Sequence, residues 1–265
     1  MSKRRTIFVT GATGDERQWA LALQAVASFR RHTAHFADMA LVSTSFIPQT
    51  RYLGPLERAL KGTVGIVQDA ELGERCVASF ARSQSQHQYP PIVMAKWHIR
   101  RCPQFAGYDR IVWFDTDMTA VVDLEGLAEI ENPTGLAAVQ DILIPTWAEV
   151  ENRYVQYGLY GPVGIKPRSA IYYNVGLMVI DPANLPADAD KTFDDFDRTA
   201  DAANWFFRDQ DTLNAAFDFS TLDTRWNRDY RKYGADGGPG AAVVHYPGIK
   251  PTLLFERAYR EICGG

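Results

Sequence analysis

With 265 residues, 46% of them hydrophobic, the chain carries enough apolar material for one sizeable core, and no Pro/Gly/Ser-rich linker divides it. Charged residues make up 23% and the formal net charge is -4, without the long basic block that nucleic acid or an anionic membrane surface calls for. The apolar run behind the basic start "MSKRR" is too short for a secretory leader, no stretch is long enough to span a bilayer, and three widely spaced cysteines (Cys76, Cys102, Cys263) fit neither a disulfide framework nor a zinc site, so a reducing cytoplasm is the expected home.

In chain order, "TIFVT" (Thr6 to Thr10) reads as a buried strand and "RQWALALQAVASF" (Arg17 to Phe29) as a helix packed on a sheet. "MALVST" (Met39 to Thr44) and "GIVQD" (Gly65 to Asp69) follow as strands. "IVMAKWHIRRC" predicts a helix begun after Pro90 and Pro91, since proline is tolerated in a first turn. "RIVWFDTD" is a strongly apolar strand ending in carboxylates, and "LAAVQD" and "IYYNVGLMVID" continue the sheet. The segment from Leu143 to Pro167 reads as a long, aromatic-rich loop or insertion, a feature often functional in compact domains. "DADKTFDDFDRTADAANWF" and "RDQDTLNAAFDF" predict helices, "AAVVHY" a late strand and "LLFERAYREIC" a closing helix. Strands alternating with helices argue for an α/β fold with a mostly parallel sheet in a single domain over residues 1–265, and for ligand binding at the carboxyl ends of its strands.

"IFVTGATGDERQ" has the outline of a dinucleotide-binding turn but lacks its third glycine: three residues beyond Gly14 stands Arg17, too large for close helix–strand packing. "LVSTS" supplies no acid for a ribose. Tyr246 and Lys250 share the spacing of a short-chain dehydrogenase pair, but Pro247 and Gly248 between them make a poor helix interior. NAD(P) chemistry is disfavoured.

The carboxylates of "RIVWFDTDMTAVVDLEGL" say more. At the end of an extended run, Asp115 and Asp117 share a side, because strand side chains have a period of two. Neighbouring carboxylates repel unless a proton or cation intervenes, and carboxylate oxygens suit Mg2+ or Mn2+. A solvated pair of loop aspartates is the plain alternative.

Here the sequence resembles the retaining sugar-nucleotide glycosyltransferases of family eight, which include glycogenin and the bacterial lipopolysaccharide galactosyltransferases, from "TIFVT" to "HYPGIKP". "AKWHIRRCPQFAGYDRIVWFDTDMTAVVDLEGL" is similar to the family's helix and Asp-x-Asp strand, "YYNVGLMVIDP" to its "F-N-S-G-V-x-V" strand, "RDQDTLNAAF" to its "D-Q-x-x-L-N" helix and "VVHYPGIKP" to its "H-x-x-G-x-x-K-P-W" segment. Two departures stand out: a single residue, Ile249, separates Gly248 from Lys250, and Thr252 replaces the tryptophan. The first turn also carries Glu16, Arg17, Gln18 and Trp19 where the family has an Asn/Glu-Tyr pair.

The resemblance implies a GT-A type, Rossmann-like nucleotide-sugar transferase fold with helices flanking the sheet. It implies transfer of a hexose from a UDP-sugar, UDP-glucose or UDP-galactose, with retention of configuration. Asp115, Asp117 and His245 would ligate Mn2+, with Mg2+ as the alternative; the imidazole favours manganese. Thr10, Asp15, Lys96, Asp115, Thr116, Asn174, Gly176, Gly248 and Lys250 fall at donor-binding positions, and Asp209 and Gln210 at the catalytic ones beside the anomeric carbon. The acceptor, whether glycan, protein or nucleobase, is left open, and Trp147, Tyr154, Tyr157 and Tyr160 offer either a sugar-stacking surface or a homodimer interface. A sugar-nucleotide hydrolase and a degenerate binding module remain as alternatives.

Overall fold

A computed structural model describes residues 4–14, 16–43, 50–81, 91–158, 161–202, 205 and 207–247. The first half runs β1 (Thr6–Gly11), α1 (Glu16–Thr33), β2 (Asp38–Ser43), α2 (Leu53–Ala59), β3 (Gly65–Gln68), α3 (Ala70–Ala81), α4 (Ala95–His98), β4 (Arg110–Phe114), β5 (Met118–Ala120) and α5 (Glu125–Glu129). The second runs β6 (Leu136–Gln140), α6 (Trp147–Gln156), β7 (Tyr173–Ile180), α7 (Ala189–Ala202), α8 (Arg208–Ala216), β8 (Ser220–Thr221), β9 (Arg228–Asp229), α9 (Tyr230–Tyr233) and β10 (Val243–His245). No helix among the described residues is long and apolar enough to cross a membrane.

Seven strands form the main sheet in the order β3-β2-β1-β4-β7-β6-β8. All neighbours are parallel except β7, which runs against both β4 and β6. This is the expected α/β architecture with a mostly parallel sheet. Both faces are covered, so the central strands are buried throughout and largely apolar. Phe8 and Phe114 face α1, where Phe29 stacks on Phe114 at 3.9 Å, while Val9 and Trp113 face a second layer that holds Trp97 and Phe193. Because β7 is reversed, its first residues lie at the same rim as the carboxyl ends of β1, β4 and β6.

A small second sheet, β5-β10-β9, stands beside that rim. Antiparallel pairing of β10 with β5 sets His245 opposite Met118. Tyr246 N donates to Asp117 O at 2.9 Å, extending the pairing by one step. A ladder thus joins the late histidine to the turn after β4.

Two expectations change. The segment 143–167 is not a continuous loop but contains α6, begun by a capping box: the Glu149 carboxylate accepts from Thr146 N at 2.9 Å. Its Trp147 and Tyr154 are buried in a cluster with Tyr172 and Trp205, so they are packing residues rather than surface aromatics. Tyr157 is exposed, and Tyr160 lies outside the described residues. The helix expected from "IVMAKWHIRRC" is broken into a tight turn at Pro91–Met94, α4, and another at Ile99–Arg101. These turns bury Trp97 between Phe193 and Phe217, at 5.0 and 4.6 Å. The expected closing helix, with Cys263, lies outside the described residues, whose two cysteines, Cys76 and Cys102, are buried and free.

At the opposite end of β4, Arg110 is fully buried and grips Asp181, with Nε on Oδ1 at 2.7 Å and Nη2 on Oδ2 at 2.6 Å. Its guanidinium also donates to the carbonyls of Leu127 and Ile130, both at 2.8 Å. This satisfied pair anchors α5 and the tail of β7 under the sheet.

Candidate active site

A cavity of about 470 Å3 opens at the rim where the carboxyl ends of β1, β4 and β6 meet the start of β7. Gly11, Lys96, Trp113, Asp115, Thr116, Asp117, Asp141, Asn174, Gly176, Asp209, Gln210 and His245 all contribute to its wall. Of the expected site residues, Asp15, Gly248 and Lys250 lie outside the described residues. The Thr10 side chain is fully buried, its hydroxyl lacks a partner among the described residues, and the cavity wall at this strand is Gly11. Strand alternation is the reason, since consecutive residues face opposite sides. A Cβ on Gly11 would fall 2.5 Å from Ile92 Cγ1 and 2.9 Å from Trp113 Cη2, so the turn is closely packed.

Asp115, Asp117 and His245 offer ligand atoms that all lie within 4.8 Å of one another. The two carboxylates reach this arrangement differently from expectation. β4 ends at Phe114, and both aspartates sit on a turn closed by Met118 N donating to Asp115 O at 3.2 Å. The other cluster of this kind among the described residues, His35, Asp123 and Glu125, is on the surface away from the cavity.

Each member is held from outside. Trp113 Nε1 donates to Asp115 Oδ1 at 2.7 Å, and Asp115 N donates to Gly176 O at 2.8 Å. The β6–β7 pairing shifts between Ala138 and Val139, so β7 bulges at residues 175–177 and pushes Gly176 toward Asp115. His245 Nε2 stands 3.3 Å from Asp117 Oδ1. Burial disfavours the charged ring, but the neighbouring Asp117 and Asp115 outweigh it and hold the imidazole above its ordinary pKa.

Lys96 is 2% exposed and is neutralised inside the protein: its Nζ is 3.2 Å from Asp115 Oδ1 and 2.6 Å from Asp209 Oδ2. Burial alone would lower its pKa; the two carboxylates reverse this and raise it. Asp115 is pushed upward by burial first, with Lys96 pulling against that and Asp117 adding to it. Lys96 thus ties the turn after β4 to the first turn of α8.

Gln210, next on α8, has its amide held at both ends. Its Oε1 accepts from Val175 N at 3.3 Å, and its Nε2 donates to Asp141 Oδ2 at 3.2 Å. Asn174 Nδ2 reaches the same oxygen at 3.1 Å. Beneath α8, Asp211 accepts from the hydroxyls of Tyr154 and Tyr172 and from Phe207 N at 2.9 Å. Burial raises this carboxyl to about 6 against those three bonds. Asp141, Trp113 and Asn227 belong to this constellation but carry no motif of their own. Only the place of Asp141, directly after a strand ending at the ligand-binding rim, marks it in the sequence.

A family model described as "Glycosyl transferase family 8" matches residues 15–251. Among solved structures the fold is similar to that of galactosyltransferase LgtC in complex with donor and acceptor sugar analogs, with a TM-score of 0.69 and 17% identity over 97% of this chain and 95% of that one. The "WbbM bifunctional glycosytransferase" matches at TM-score 0.67 and 15% identity over 99% of this chain, which spans 50% of that one. The glycosyltransferase GlyE of Streptococcus pneumoniae TIGR4 matches at 0.60 and 18%, over 98% of this chain and 61% of that one. No curated protein sequence matches.

Proposed function

The chain belongs to glycosyl transferase family 8, and from that premise we propose that it is a metal-dependent, retaining transferase that moves a hexose from a UDP-sugar to an acceptor. The observation that carries this reading is the convergence of Asp115, Asp117 and His245 at the edge of the cavity. Two carboxylate oxygens and an imidazole nitrogen fit a divalent ion, with Mn2+ preferred over Mg2+ for the nitrogen ligand. When bound, the ion supplies Lewis-acid stabilisation of a diphosphate leaving group.

The chain's own residues do the rest. Lys96 bridges Asp115 and Asp209 and fixes both in place, and the Trp113 indole orients Asp115. Gln210, immobilised between Val175 and Asp141, presents its carbonyl oxygen to the positive charge that develops on the sugar as its bond to phosphate breaks. Asn174 lies at a donor-binding position, and Asp141 holds its amide and that of Gln210 in place. Asp209 orients the sugar or the acceptor. Thr116, Gly176 and, beyond the described residues, Asp15, Gly248 and Lys250 complete the donor site. No carboxylate here is assigned as a covalent nucleophile, so the acceptor attacks from the face the phosphate leaves.

The test is release of UDP from UDP-glucose and UDP-galactose with Mn2+, in the presence of simple sugar acceptors, by the wild type and by Asp117→Asn. Turnover that needs an acceptor and disappears in the variant supports the reading. Full activity in Asp117→Asn rules it out, and release indifferent to any acceptor points to hydrolysis instead.

A further inference from the structure

On the side of the imidazole away from Asp117, a chain of hydrogen bonds runs back to the sheet. His245 Nδ1 lies 3.0 Å from Asn227 Oδ1, Asn227 Nδ2 donates to Asn174 Oδ1 at 2.9 Å, and Asn174 Nδ2 donates to Asp141 Oδ2 at 3.1 Å. The two ends of an amide are alike in shape, so only neighbours with a single capability can fix which way such a chain runs.

Two such neighbours hold Asn174. The backbone N–H of Gly176, a donor only, points at Asn174 Oδ1 from 3.0 Å. The carboxylate of Asp141 receives the N–H groups of Leu143 and Ile144 on one oxygen, both at 2.9 Å, and presents the other as an acceptor. Asn174 therefore turns its NH2 toward Asp141 and its oxygen toward Asn227. Asn227 has to donate to that oxygen, which leaves its own oxygen facing the ring. An oxygen in that place needs a proton on Nδ1.

We infer that Asn227 is a positioning residue that selects the His245 tautomer protonated on Nδ1, leaving Nε2 as the nitrogen presented to a divalent cation beside Asp117. The inference rests on the metal-binding reading of the site. Asn227 is 9% exposed, follows the tight turn Thr224–Trp226, and does not line the cavity, so it acts through the two cavity residues it bonds, His245 and Asn174. The same Asp141 oxygen that ends this chain also holds Gln210, so one carboxylate orients the metal-side imidazole and the sugar-side amide together. Partners of this kind typically change metal affinity by about 10- to 100-fold when removed.

The first measurement needs neither metal nor variant: long-range 1H–15N correlation of His245 in the metal-free protein, at a pH where the ring is neutral. A proton on Nδ1 is expected, and a proton on Nε2 overturns the inference. The second is Mn2+ affinity, followed by the electron paramagnetic resonance of the free ion. Asn227→Leu should weaken binding about 10- to 100-fold and mix the tautomers, whereas Asn227→Asp, which keeps an acceptor for Nδ1–H while giving up the donor to Asn174, should lose clearly less affinity than Asn227→Leu. Unchanged affinity in Asn227→Leu, or an equal loss in both variants, overturns the role. A wild type that binds no Mn2+, or whose binding ignores Asp117→Asn, sinks the metal reading and this role with it, a failure distinguishable because the correlation spectrum reports the proton independently.

Discussion

A Cβ built on Gly176 falls 2.8 Å from His245 Cε1 and 2.8 Å from Met118 Cε, so the imidazole occupies the space that any side chain at position 176 requires. Gly176→Ala should therefore displace the ring. Mn2+ affinity and turnover are expected to drop by about tenfold or more with the fold retained. Metal titration alongside circular dichroism checks this; a fully active Gly176→Ala would mean that the ring yields freely.

Lys96 is the cation between Asp115 and Asp209, and Lys96→Met removes it at nearly constant volume. Asp115, already pushed upward by burial, then loses the charge that pulls its pKa down. A carboxylate with a higher pKa is ionised only at higher pH, so the acid limb of the activity profile should move to higher pH. A pH–rate profile of the variant that overlays the wild type would contradict this coupling.

The Arg110–Asp181 pair predicts asymmetric mutational costs. Removing one partner leaves an uncompensated buried charge, so Arg110→Met or Asp181→Leu alone should cost about 3–5 kcal/mol. The double variant should recover a large part of that loss. Urea unfolding of the three proteins measures it, and additive single costs would show that the two groups do not act as a unit.

His98 gives the fold an acid-sensitive group. Burial first, then Arg101, Arg75 and Arg100, lower its pKa from 6.5 to about 3, and its ring nitrogens have no partner among the described residues. Between those values the unfolded chain binds a proton that the folded chain refuses. Stability therefore falls as pH drops from 6.5 toward about 3, by a few kcal/mol in order of magnitude. His98→Met should flatten this part of the stability–pH curve. An identical slope in the variant would assign the acid sensitivity elsewhere.

Six strands of the main sheet, all but the two-residue β8, were legible because residues such as those of β1 and β4 are buried on both faces and read as largely apolar runs. The reversal of β7 was not, because alternation reports burial and not direction. α6 was hidden by the glycines, prolines and aromatics around it, although Thr146 and Glu149 carry a helix-start signal at the proper spacing. The Asp115, Asp117 and His245 set was readable as a carboxylate pair plus a resemblance; what the sequence could not give is the β5–β10 pairing that brings the histidine to them. Asp141 was marked only by its place after β6, and Asn227 was invisible for a simpler reason. It is one polar residue whose role exists only through hydrogen bonds to residues far away in the chain.

The reversed strand β7 has one more consequence. Since it enters the sheet at the rim of the cavity, the stretch leading into it delivers Leu143, Ile144 and Arg153 to the cavity wall, while Trp147 and Tyr154 pack α6 into the interior. Exchanges at Leu143 and Arg153 reshape the wall, whereas a cut through α6 would also unseat the packing around Tyr172.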